Sequence, residues 1–285
     1  MKVKIRPAVI SDAESCARVM YEAFKSIARR HQFPSDLPTL EHAMRVVIVC
    51  VSHPASFGAV AERSGRVVGS CFIDKRDQIY GLGPVSVEPK VQARGIGRKL
   101  VEAALQHGEK AAGIRLVQDA FNLMSFSLYV SLGFEVKEPL ALVEGRLRSL
   151  PLEEVKVRPL EKGDLDECEA LCLKVHGFAR TNELQDALNL SSAFVLLRQG
   201  CIKAYTSGVA LWGHGVAETE ADMKGLLLGV EASRPQPLRF IAPMRLNGFF
   251  RWCLSEGLRV VKPMTLMAMG RYLDPKGCYF PSASY

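Results

Sequence analysis

The run Gln92-Ala93-Arg94-Gly95-Ile96-Gly97-Arg98-Lys99-Leu100 has the composition of an anion trap. It follows a strand-like stretch ending in Gly83-Pro84-Val85-Ser86-Val87-Glu88-Pro89 and opens a helix whose pattern runs to Ala112. Glycines let the backbone come close to a phosphate, the first N–H groups of the helix point out of its end unpaired, and the helix dipole adds positive potential there. Arg94, Arg98 and Lys99 add side-chain charge. Binding of a phosphate or pyrophosphate is the chemistry this serves. Two better-known glycine loops are excluded by spacing: Leu100 holds the place of the third glycine of a dinucleotide fingerprint, and the G-x-x-x-x-G-K-S/T of a P-loop is absent.

A second constellation lies downstream. Asn122 and Tyr129 are seven residues apart, which puts both on one face of a helix. A phenol of pKa about 10 is a competent proton donor to a leaving group near neutral pH. Taken singly these features are weak: a lone Tyr on an amphipathic helix is usually a packed aromatic, and Val85 and Val87 alone read as core strand. Their order carries more. The run Val87-x-Pro89-x-x-Gln92-x-x-Gly95-x-Gly97, then Asn122-Leu123-Met124-Ser125-Phe126-Ser127-Leu128-Tyr129 and Leu132-Gly133-Phe134, resembles the two signatures of the GNAT superfamily of N-acyltransferases. The resemblance covers the first half of the chain fully and the second in outline, and the whole is similar to a bacterial tandem-GNAT subgroup whose C-terminal copy lacks the loop.

This resemblance implies acetyl-CoA as cosubstrate. The backbone of Val85 and Val87 would pair with its pantetheine arm as an added strand. Backbone N–H groups of Gln92, Ala93, Arg94, Gly95, Ile96 and Gly97, with Arg98, would hold the pyrophosphate. Asn122 would bond the pantetheine or phosphate region, and Tyr129 would protonate the departing thiolate. The base is less legible. An alkylamine of pKa about 10.4 must lose a proton before attacking, at a cost of about 4–5 kcal/mol at neutral pH. In relatives a Glu often sits on the central strand, but Ile79-Tyr80-Gly81-Leu82-Gly83-Pro84 carries no acid. Asp77 and Glu88 flank it as turn carboxylates expected in solvent, so a water relay is the leading option. No Cys has an adjacent His that would make it a nucleophile.

The elements that must position these residues occur twice. Val3-Lys4-Ile5-Arg6-Pro7 matches Val155-Lys156-Val157-Arg158-Pro159 at an offset of 152, which also superposes Asp12 on Asp164 and Cys16 on Cys168. Arg63-Ser64-Gly65 and Arg198-Gln199-Gly200 both read as hairpin turns, and Leu132-Gly133-Phe134 is echoed by Glu256-Gly257-Leu258 at an offset of 124. The first copy reads as strand 3–6, helices 11–30 and 38–50, strands 57–63, 67–75 and 79–87, helix 95–112, strand 114–120, helix 123–132 and strands near 134–147, with Ser11-x-x-Glu14 as a capping box. The second reads as strands near 155–158, 193–198 and 201–212, a helix from about 220, strand 238–241, helix 245–256 and closing strands near 258–270. Two domains follow, 1–150 and 151–285. The fold class is α+β: two tandem GNAT-like domains, each a mixed, mostly antiparallel sheet flanked by helices.

In the second copy the loop's counterpart is Gly213-His214-Gly215-Val216-Ala217-Glu218-Thr219-Glu220-Ala221-Asp222. It has no G-x-G and carries acids that would repel a pyrophosphate. Glu218 and Glu220 are candidates for drawing a cationic amine to an acceptor site, against the alternative that they sit at a helix start capped by Thr219-x-x-Asp222. His214 reads as a structural His. The tail from Tyr272 to Tyr285 is rich in turn formers, which favours fraying; its aromatics, Tyr279 among them, suit a groove between the halves and the acceptor pocket.

Composition sets the outer bounds. The 285 residues carry a formal charge of +7, and residues 1–150 hold 21 Lys/Arg against 15 Asp/Glu, so the first half is the anion-binding candidate. No basic stripe or recognition helix for nucleic acid is present. The longest charge-free apolar run, Val46 to Val51, is far short of a membrane span, and no signal core follows the N-terminal charges. Eight scattered cysteines form neither a disulfide framework nor a metal site, so no metal is expected and the compartment reads as cytoplasmic. The expected activity is transfer of an acetyl group from acetyl-CoA to a small-molecule amine by direct attack in a ternary complex. The alternatives are an acetyl-CoA sensor without turnover and a protein-lysine acetyltransferase, for which no peptide groove is legible. Acceptor identity and oligomeric state are not written in the sequence.

Overall fold

In the computed structural model, which describes residues 3–234 and 236–284, the repeat is visible in its smallest parts. Ser64 and Gly65 take φ of 52° and 75°, and Gln199 and Gly200 take 53° and 80°. Two consecutive left-handed residues match the twist of a tight hairpin. Arg6 grips Asp12 through two bonds of 2.7 and 2.9 Å, and Arg158 grips Asp164 through two of 2.6 and 2.9 Å. Each Asp also accepts a backbone N–H, from Val9 at 3.0 Å and from Glu161 at 2.8 Å. The entry to the first long helix is therefore fixed by Asp12, not by a Ser11–Glu14 box.

The first half runs β1 (Lys4–Pro7), α1 (Ala13–Arg30), α2 (Leu40–Ser52), β2 (Ser56–Arg63), β3 (Arg66–Asp74), β4 (Ile79–Val87), α3 (Ile96–Gln106), β5 (Gly113–Asp119), α4 (Leu123–Ser131) and β6 (Glu135–Gly145). The second runs β7 (Lys156–Pro159), α5 (Leu165–His176), α6 (Thr181–Asn189), β8 (Phe194–Arg198), β9 (Cys201–Thr206), β10 (Gly215–Ala217), α7 (Glu220–Ala232), β11 (Leu238–Pro243), α8 (Asn247–Ser255) and β12 (Arg259–Gly270). A last strand, β13 (Cys278–Phe280), lies in the tail. α3 stops six residues short of the expected Ala112, its last turn tightening into i→i+3 bonds from His107 to Ala104 at 3.1 Å and from Gly108 to Leu105 at 2.8 Å. The strand expected to reach residue 212 ends at Thr206, where Gly208 and Gly213 close a tight loop.

The strands do not divide into one sheet per half. One sheet has the order β1-β2-β3-β4-β5-β12-β6-β11 and the other β13-β10-β9-β8-β7. β12, from the second half, lies between β5 and β6 of the first, and β6 lies between β12 and β11. Met264 is opposite both Asp119 on β5 and Leu140 on β6, while Leu140 is also opposite Pro243 on β11. The 124-residue offset carries Asp119 onto Pro243 and Leu140 onto Met264, so the exchange is reciprocal about a pseudo-twofold axis. Each half lends the other its closing strand. Leu140, Leu142, Ile241, Met264 and Leu266 form a shared apolar cluster at this crossing.

Between β4 and β5 the pairing is parallel and short, Ile79–Gly81 against Gly113–Arg115. A register shift in the β3–β4 ladder between Cys71 and Ile73 follows, and from Leu82 onward β4 keeps β3 on one edge and, among the described residues, no strand on the other. β5 turns instead to β12. The sheet therefore opens into a wedge with the backbone of Val85 and Val87 on its rim.

Candidate active site

The loop after β4 is built as its sequence requires. Ala93 and Gly95 take left-handed φ of 59° and 76°, which turns the chain into α3. Gly97 sits in the first turn, where a Cβ would find only ordinary contact with Leu128 at 3.5 Å and Val87 at 3.9 Å. No residue side chain caps this helix start, and the groove beside it is lined by Gln92, Ala93, Gly95, Ile96, Gly97 and Arg98. Free N–H groups at a helix start facing an open groove are an anion site. The Gln92 amide donates to the Val87 carbonyl at 2.9 Å, tying loop to strand, and Arg98 donates to Ser131 on α4 at 2.6 Å. Arg94 lies outside the groove lining.

Asn122 caps α4, its Oδ1 accepting the Ser125 N–H at 3.3 Å. One helical face then brings Asn122, Ser125 and Tyr129 to the wedge beside Val85 and Val87. The Tyr129 side chain is largely buried and rests edge-on against Phe134. Burial pushes its phenol above the usual value, with the buried Cys71 thiol acting in the same sense. The hydroxyl therefore stays protonated at neutral pH.

A second cavity of about 140 Å³ adjoins the groove, and Val85, Val87, Gln92, Asn122, Ser125 and Tyr129 line both. Its other walls come from α1, the α1–α2 connection, the end of β5 and the second half, through Trp212, Met264 and Ala283. Asp36 and Asp119 lie in this wall. Neither was singled out by sequence, since no spacing relates them to the loop. Gln118 is buried there as well, its Oε1 accepting from Ser125 at 2.8 Å and its Nε2 without a partner among the described residues.

The acceptor residues expected in the second half lie elsewhere. Glu218 is held by Lys174 and Lys203, which bring its carboxyl down to about 2, and Glu220 faces Lys224 at 3.7 Å. Neither lines the cavity. Thr219 accepts the Asp222 N–H at 3.2 Å, so these acids flank a capped helix start. Tyr279 is buried and donates to Glu138, away from the cavity. Over its described residues the tail does not fray, Tyr285 lying outside them: Phe280 pairs with Gly215, whose missing Cβ would lie 2.2 Å from the ring, and Ala283 reaches the cavity wall. β13 thus lies on the edge of β10 that corresponds to the open edge of β4. Cys253 stands at the position related to Tyr129 by the 124-residue offset. Asp77 accepts from the N–H groups of Asn182 and Glu183 at 3.1 and 3.2 Å instead of facing solvent, and Glu88 pairs with Arg66 at 2.8 Å. His214 is buried against Glu183, Ser207 and Tyr205. Among the described residues no helix is long and apolar enough to cross a membrane.

A family model described as acetyltransferase (GNAT) domain matches residues 54–136, from β2 to the start of β6. The UPF0157 protein YqkA of Bacillus subtilis is 28% identical over 88 residues, which are 31% of this chain and 26% of that protein. The match therefore spans about a quarter of that relative's length. Three solved structures share the architecture over nearly the whole chain. A candidate acetyltransferase from Pyrococcus horikoshii superposes with a TM-score of 0.77 at 18% identity, covering 97% of this chain and 94% of its own. A GCN5-related N-acetyltransferase from Sphaerobacter thermophilus gives 0.64 at 16%, covering 96% and 98%. A tandem GNAT protein from the clavulanic acid biosynthesis pathway gives 0.61 at 11%, covering 94% and 98%. At such identities the likeness is one of fold. The family match falls on the strands, loop and helix that build the groove, so residues 54–136 form a GNAT domain within a chain whose whole fold is that of tandem GNAT proteins.

Proposed function

We propose that the protein transfers an acetyl group from acetyl-CoA to the amine of a small molecule, in a ternary complex within the first half. The observation that carries this reading is the meeting of two cavities at Tyr129: a groove with a helix-start anion site on one side and a carboxylate-lined cavity on the other. Backbone N–H groups of the Gln92–Gly97 loop, with Arg98, hold the pyrophosphate. The free rim of β4 at Val85 and Val87 takes the pantetheine arm as an added strand, and Asn122 borders it. The thioester supplies the activated acyl group. Tyr129, kept protonated by burial, donates to the departing thiolate. The second half contributes Trp212, Met264 and Ala283 to the acceptor wall. Among its described residues the edge of β10 that would take a second pantetheine arm is occupied by the tail strand.

The test is a panel of small amines with acetyl-CoA, following release of free thiol. Turnover with at least one amine is expected, and Tyr129→Phe lowers kcat by about 10²–10⁴ while acetyl-CoA affinity stays near wild type. Binding of acetyl-CoA with no thiol release from any amine would support a sensor instead. Unchanged turnover in Tyr129→Phe, in a chemistry-limited assay, removes the proton-donor role.

A further inference from the structure

GNAT domains need a way to deprotonate the acceptor, and β4 of this chain carries no acid between Ile79 and Pro84. The carboxylates that do face the acceptor cavity are Asp119, the last residue of β5, and Asp36. Both meet one cation: Lys262 Nζ is 2.5 Å from Asp119 Oδ1 and 2.6 Å from Asp36 Oδ2. Lys262 belongs to β12, the strand lent by the second half, and its side chain is 1% exposed. A register shift in the β12–β6 ladder between Val260 and Lys262 sets the aim of this side chain. The pseudo-symmetric position is Glu138, which accepts from Tyr279 in the second half. The exchange thus delivers a cation to the half that has the groove and an anion to the half that does not.

Resting on the transferase reading above, we propose that Asp119 is the general base for the acceptor amine and that Lys262 is the positioning residue that keeps Asp119 ionised. Lys262 takes Oδ1, and among the described residues no hydrogen bond reaches Oδ2, in the wall of the cavity that Tyr129 also lines. The acceptor ammonium gives one proton to the Asp119 carboxylate. Its nitrogen lone pair then bonds to the thioester carbonyl carbon, the C–S bond breaks with its electron pair on sulfur, that thiolate takes the Tyr129 proton, and the acylated nitrogen gives its second proton through water to the Tyr129 phenolate, leaving a neutral amide. A buried carboxylate is a better base than an exposed one, and burial does raise Asp119, with Asp36 acting in the same sense and Lys262 against it. The groups that set its protonation come from several elements. They are Lys262 on β12, Asp36 after α1, Arg239 on β11 at 3.6 Å from Asp36, Glu144 on β6 at 3.6 Å from Arg239, and Arg30 of α1 and Tyr129 of α4 in the cavity wall.

The experiment uses the full chain, acetyl-CoA and the amine panel, with kcat/KM followed against pH. Asp119→Asn should lower kcat by about 10²–10⁴ while the thermal shift given by acetyl-CoA persists. Lys262→Met, which removes an opposite charge in contact, should move the acidic limb of the pH profile upward by about 1–3 units, and Lys262→Arg should leave it near wild type. Asp36→Asn removes a like charge and should move the limb downward, which keeps the test decisive if Lys262→Met does not fold. Wild-type turnover that Asp119→Asn leaves unchanged, or a limb unmoved in Asp36→Asn and in any folded Lys262→Met, overturns this assignment and leaves the transferase reading standing. No thiol release from the wild type with any amine overturns both.

Discussion

Cutting the chain at residue 150 removes β12 from between β5 and β6, although every residue of the groove loop and α4 remains. The loss can be sized from burial. Met264, Leu266 and Met267 are 4%, 1% and 0% exposed in the intact chain. At about 1.5–3 kcal/mol for each large apolar side chain, their removal costs about 5–9 kcal/mol, before counting the uncovered faces of Leu140 and Leu142. The ladders go too, with β12 opposite β5 from Met264 to Gly270 and opposite β6 from Arg259 to Ala268. A domain's whole stability is about 5–15 kcal/mol, so the fragment 1–150 should not fold alone. Its amide proton spectrum should be poorly dispersed, with no cooperative melt and no acetyl-CoA shift, and co-expression with 151–285 should restore all three. A dispersed spectrum and a cooperative melt from 1–150 alone would refute the reasoning and make the exchanged strand dispensable.

Gly97→Ala should keep the thermal shift given by acetyl-CoA, since its Cβ meets only ordinary contacts, whereas Gly97→Asp should abolish it by placing an anion at the helix start; thermal melts with and without acetyl-CoA check both. Glu218→Gln with Glu220→Gln should leave the acceptor KM unchanged, because neither side chain lines the cavity; a raised KM in steady-state assays would return them to the site. Burial works to raise the Glu183 carboxyl, but Arg180 and His214 outweigh it and bring it to about 2. A depressed carboxylate contributes stability that is present above its unfolded pKa of about 4.3 and lost as pH falls toward about 2. Chemical denaturation of Glu183→Gln across that range should therefore show a flatter acid dependence than wild type, by about 3 kcal/mol in total.

The sequence by itself determined what local geometry determines. Two adjacent left-handed residues at Ser64-Gly65 and Gln199-Gly200 specify hairpins wherever they stand, and Ala93-x-Gly95-x-Gly97 after a strand specifies a helix start bare of side chains. The seven-residue spacing of Asn122 and Tyr129 fixes their common face. The repeat fixed two copies of one fold. What it could not convey is which strand pairs with which, since alternation marks a strand's faces and not its neighbour; β12 and β6 look like ordinary closing strands until they are seen to have changed halves. The cavity beside Tyr129 depends on that choice, since Met264 of β12 stands in its wall. Asp36 and Lys262 are 226 residues apart, and only the exchanged strand brings that ammonium to the carboxylates of the other half. Glu218 and Glu220 misled for the matching reason: acids at a helix start bear the same sequence signature whether the helix faces a substrate or, as here, lysines at the surface. Short-range steric rules are contained in a few consecutive residues, whereas the juxtaposition of charges across the molecule exists only once the chain has closed on itself.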